Sequence, residues 1–96
     1  MEFPTLQLTY TVMESGTPGI FIGRINEIGG IFAQANSAEE VYSDLVRHTY
    51  LMLPRKREQV LALLQKQTQE RWEELLAGQM PSFKLAASTE SQLQVA

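Results

Sequence analysis

The sequence predicts an α+β fold: a three-stranded antiparallel sheet packed by a helix, with a possible fourth short strand at 83–86, followed by a second long helix. Three observations predict it. Strict alternation of apolar and polar residues opens the chain, clusters of turn formers divide the next segment into short β-rich runs, and the apolar period then lengthens from two to about 3.6. From Leu6 to Met13, Leu6, Leu8, Tyr10 and Val12 fall on one side and Gln7, Thr9 and Thr11 on the other, the mark of a half-buried strand. Glu14-Ser15-Gly16-Thr17-Pro18-Gly19 concentrates turn residues before a second β-rich run, Ile20 to Ile25, so a hairpin is expected. Asn26 to Gly30 forms the next turn, where the Gly29-Gly30 pair can supply positive φ, and Ile31 to Asn36 supplies the third strand.

At Ser37-Ala38-Glu39-Glu40 the pattern matches a capping box, with Ser37 as N-cap and Glu40 three residues on. The helix that follows carries Val41, Leu45, Thr49 and Met52 on one stripe and ends near Leu53, because Pro54 disfavours α geometry in the residue before it. A second helix is expected from Arg55 to Ala77, with Val60, Leu61, Leu64, Thr68, Trp72, Leu75 and Leu76 at helical spacing and Gly78 and Pro81 as its stop. So long a helix would outrun a three-stranded sheet. Its stripe, through Leu64, Thr68, Trp72 and Leu75, is therefore expected to meet a partner or a second subunit, and a homo-oligomer, dimer or higher, follows. Trp72 also fits a core anchor, the plainer reading of a lone large aromatic. Residues 1–80 thus form the domain and 81–96 a tail, either a short strand over Phe83-Lys84-Leu85-Ala86 or unstructured.

The 96 residues suffice for about one small domain, and 44% hydrophobic with 20% charged residues is ordinary globular usage. With no cysteine, disulfides, thiolate nucleophiles and cysteine-based metal centres are excluded. No apolar run approaches the roughly 20 residues that span a bilayer, and Met1-Glu2-Phe3-Pro4 lacks a signal peptide's basic start, so a cytoplasmic location without membrane contact is expected. A net charge of −3 disfavours sequence-independent nucleic-acid binding and suits a basic partner.

Few residues point to chemistry. His48 is the only histidine; Asp44 and Glu40 precede it at four and eight residues, but a ligand or catalytic set needs further groups, so a structural histidine is expected. No serine is framed as a nucleophile elbow, and the glycines match neither a phosphate loop nor a dinucleotide fingerprint. No enzyme, metal or cofactor is expected. Arg55-Lys56-Arg57 is the strongest cationic cluster and a candidate phosphate contact. However, Glu58, Glu70, Glu73 and Glu74 share its helix, so a solvated surface is preferred, with DNA contact open.

Leu8-Thr9-Tyr10-Thr11-Val12, Gly19-Ile20-Phe21-Ile22-Gly23-Arg24-Ile25, Gly30-Ile31-Phe32-Ala33-Gln34-Ala35 and Ser37-Ala38-Glu39-Glu40-Val41, in this order and spacing, resemble the HicB-like antitoxin domain over residues 6–53. Gly29-Gly30 stands where that family commonly has proline-glycine, and Val41 where alanine is frequent. The resemblance implies a bacterial toxin–antitoxin protein with a βββα unit like a partial double-stranded-RNA-binding domain, a further strand and dimerisation. It also implies a HicA-like toxin ribonuclease as partner. The runner-up is a dimeric nucleic-acid-binding transcriptional regulator, although the family's ribbon-helix-helix or helix-turn-helix domain is not visible in this chain.

Overall fold

The computed structural model describes residues 5–69 and 80–88. Strands β1 (Leu6–Glu14), β2 (Phe21–Ile25) and β3 (Phe32–Ala35) are followed by α1 (Ala38–Met52), a 3-10 turn at Leu53–Arg55, α2 (Arg57–Thr68) and β4 (Phe83–Ala87). The four strands form one mixed sheet in the order β3-β2-β1-β4. β1–β2 and β2–β3 are antiparallel, as the two turns require, whereas β4 returns parallel to β1 with Leu6 beside Phe83 and Leu8 beside Leu85. The α+β expectation holds, with the fourth strand an integral part of the sheet.

Local chemistry explains the element ends. Ser15 N–H donates to Ile20 O (2.8 Å), Thr17 N–H donates to Ser15 Oγ (3.1 Å), and Gly19 takes φ 80°, closing the first turn. Ser37 is the N-cap of α1, its Oγ accepting from Glu40 N–H at 3.2 Å. Pro54 sits in the 3-10 turn, where Lys56 N–H donates to Leu53 O (3.0 Å) and α2 starts afresh.

Both helices lie on the sheet face that carries Leu6, Leu8 and Val12. The core joins these to Ile25, Ile28, Ile31 and Ala33 from the sheet and its turn, Val41 and Leu45 from α1, Leu53, and Val60 and Leu64 from α2. Thr49 is also fully buried on α1, and its Oγ1 has no hydrogen-bond partner among the described residues. Tyr10 packs edge-on against Tyr42 of α1, with ring centroids 5.4 Å apart. Burial, with a smaller contribution from Tyr42, raises the Tyr10 phenol above its usual range, so its hydroxyl stays protonated.

The second helix departs from expectation. It spans Arg57–Thr68, where Gln69 takes the left-handed conformation (φ 63°) as C-cap and donates its N–H to Gln65 O at 2.8 Å, and the rest of the expected helix, from residue 70 to Ala77, lies outside the described residues. Thr68 Oγ1 donates to Leu64 O (2.8 Å), a bond that competes with helix continuation. One residue earlier, Gln67 turns its amide onto β1: Oε1 accepts from Gln7 N–H (3.0 Å) and Nε2 donates to Gln7 O (2.7 Å). That side chain stands in for a neighbouring strand along the part of β1 that β2 does not reach. Gln67→Ala should therefore lower the unfolding free energy by about 1–2 kcal/mol in denaturant titration, while the exposed Gln65→Ala should change it little.

Candidate functional site

Alternation places Thr9, Thr11 and Met13 of β1, Ile22 and Arg24 of β2, and Phe32 and Gln34 of β3 on the face opposite the helices, with Lys84 and Ala86 of β4 beside them. α1 packs on β2 and β3, and α2 on β1, all from the other side. On the open face Ile22 is 37% exposed and Phe32 61% exposed. The register lays two rows across it, Thr11–Arg24–Phe32 and Met13–Ile22–Gln34, so an aromatic ring stands beside a guanidinium-bearing residue and an aliphatic pair lies next to both.

At the end of this face nearest the β2–β3 turn is a depression of about 560 Å³, lined by Thr9, Arg24, Asn26, Gly30, Phe32 and Ser88 among others. Thr9 and Asn26 of its floor belong to a polar chain. Thr11 Oγ1 donates to Asn26 Oδ1 (3.0 Å), Asn26 Nδ2 donates to Thr9 Oγ1 (3.1 Å), and Thr9 Oγ1 donates to Glu27 Oε2 (2.6 Å). Thr9 N–H adds a bond to Glu27 Oε1 (2.7 Å). Hydrogen bonds in series that end on a carboxylate reinforce one another, so the floor is held in one arrangement while the rim keeps an exposed aromatic. Such a surface is suited to docking a macromolecule; it holds no paired acid and base aimed at a common point.

The one histidine is occupied structurally. His48 Nδ1–H donates to Phe32 O (2.6 Å), tying α1 to the outer side of β3. Asp44 pairs with Arg47 at 2.9 Å instead of orienting the imidazole. Among the described residues no three His, Asp or Glu side chains cluster as metal ligands, and no helix among them is long and apolar enough to cross a membrane.

The residues singled out by helical spacing are scattered. Leu64 is 1% exposed in the domain's own core, and Thr68 is half-buried with its hydroxyl bonded within α2. Trp72 and Leu75 lie outside the described residues. The cationic cluster divides at the 3-10 turn. Arg55 and Arg57 are exposed, whereas Lys56 is half-buried with Nζ 2.8 Å from where a Cβ on Gly30 would stand. Gly30 has φ 88°, a conformation that favours glycine, and its missing Cβ leaves room for that ammonium. Sequence reasoning missed Phe32 and Ile22 as a site, yet the signal was present: they occupy the opposite parity from Gly23 and Ala33, so an apolar residue there faces away from the helices.

No protein-family model, curated protein or solved structure matches the chain.

Proposed function

We propose that this chain is a non-catalytic protein-interaction module of the HicB-like antitoxin type that binds and neutralises a small basic toxin ribonuclease through the open face of its sheet. The observation that carries the reading is Phe32, 61% exposed beside Arg24 over a floor already fixed by hydrogen bonds. A large exposed aromatic on a rigid, polar-rimmed surface is the kind of group that anchors an interface, because its burial removes much apolar area at little entropic cost. The net charge of −3 favours encounter with a cationic partner. The βββα order over residues 6–53 supports the reading.

Co-expression and co-purification with the product of the adjacent short reading frame tests it. Phe32→Ala should weaken that complex at least about tenfold and release the toxin's RNA cleavage, while leaving the unfolding free energy within about 0.5 kcal/mol of the parent. Absence of a co-purifying partner, or unchanged binding by the variant, would defeat the reading. A nucleic-acid-binding regulator is the second reading, favoured by the exposure of Arg55 and Arg57 at the start of α2. It requires affinity for upstream DNA that falls steeply with added salt, and no binding at low salt disposes of it.

A further inference from the structure

We propose that a second copy of this chain docks on the outer edge of β4, antiparallel about a two-fold axis at Leu85, so that two four-stranded sheets become one continuous sheet. The parity of the β1–β4 ladder shows what that edge offers. Leu6 N–H donates to Ser82 O and Ser88 N–H donates to Tyr10 O, both at 2.8 Å. The even-numbered residues of β4 therefore point their backbone groups at β1, and Phe83, Leu85 and Ala87 point theirs outward.

At three other points a side chain meets strand backbone that no neighbouring strand pairs. Gln67 covers both groups of Gln7, Glu27 covers Thr9 N–H, and His48 covers Phe32 O on the opposite edge strand. An edge strand is ordinarily blunted by proline, a bulge or charge, and Phe83-Lys84-Leu85-Ala86-Ala87 pairs regularly along its whole length with Lys84 as its single charge.

The sequence of the strand selects both the occupant and the register. Centred on Leu85, an antiparallel pair sets Leu85 against Leu85 of the second copy, Phe83 against Ala87, and Lys84 against Ala86. Large thus meets small, both outward-facing sets exchange about six backbone hydrogen bonds, and the lysines avoid each other. Centred on Lys84, the same pairing would place the two lysines directly opposite, which like charges disfavour. Phe83 and Leu85 are half-buried in the single chain. Phe83 also borders an apolar groove of about 530 Å³ with Tyr50, Leu53, Pro54, Met80 and Pro81, so the new contact continues existing apolar surface. An isologous two-fold contact of this kind closes on itself and does not propagate. It does not depend on the toxin-binding reading, since the open face and the edge are different surfaces.

The test uses the full chain. Sedimentation equilibrium should show a reversible dimer. Amide exchange at Phe83, Leu85 and Ala87 should slow as concentration rises, while Lys84 and Ala86 stay protected throughout. Ala86 is exposed, so charge can be placed there without touching the core. Ala86→Lys sets two like-charge pairs against Lys84 and should weaken the dimer about tenfold; Ala86→Glu sets two opposite-charge pairs and should tighten it by a similar factor. A chain monomeric up to about 1 mM, protection of the three outward amides that ignores concentration, or a dimer indifferent to both Ala86 variants would each overturn the proposal.

Discussion

Leu64→Ala should lower the free energy of unfolding by about 3 kcal/mol, seen as a lower denaturant midpoint at unchanged slope. The side chain is 1% exposed and belongs to the core that α2 shares with β1 and the 3-10 turn, so its removal leaves a cavity there. A folded domain of this size is stable by roughly 5–15 kcal/mol, so one such cavity consumes a large share. The helical stripe alone placed Leu64 at a contact with another subunit. That alternative makes a different prediction: the substitution would weaken a dimer, with an effect that disappears on dilution. Denaturation at two widely separated protein concentrations tells the two apart. An equal loss at both confirms a core residue, and a loss confined to the higher concentration would return Leu64 to an interface.

Gly23→Ala should be nearly as damaging for the opposite reason. Gly23 lies on the helix side of β2 beside Val12 and Ala33, and a Cβ there would overlap Val41 Cγ1 and stand 2.9 Å from Leu45 Cδ1. Its φ is not positive, so the cost is steric. The absent side chain is what allows α1 to lie this close to the sheet. Over-packing of that kind costs about 2 kcal/mol. Val41→Ala alone is also destabilising, through a lost methyl pair, yet in combination with Gly23→Ala the two changes should partly cancel, with a coupling of about 1 kcal/mol in a double-mutant cycle. Strict additivity would show that α1 is held off the sheet by something other than this contact.

Both substitutions mark where local sequence is informative and where it is not. The strands and the first helix were legible because each carries its own signal: the alternation through Leu6, Leu8 and Val12 for β1, the turn residues Ser15 to Gly19, and the Ser37 cap that the structure shows bonded to Glu40. The end of α2 was not, because its apolar spacing runs on past Thr68 in the sequence. What stops the helix is the left-handed Gln69 together with Gln67 being drawn to the backbone of Gln7, sixty residues away. The direction of β4 was equally illegible. A β-like run near the end of the chain does not state whether it pairs parallel or antiparallel, or with which strand.

The sequence by itself determined an α+β domain, the number and order of its early elements, and the division of β1 into an apolar and a polar side, since these follow from periods of two and 3.6 and from turn chemistry within a few residues. Only the tertiary structure decided that Leu64 belongs to the core, that Phe32 and Ile22 are exposed on the face opposite the helices, and that β4 closes one side of β1 and, among the described residues, is the outermost strand of the sheet. Those outcomes depend on which distant segments meet, and pairing across sixty or more residues leaves no periodic trace in the chain.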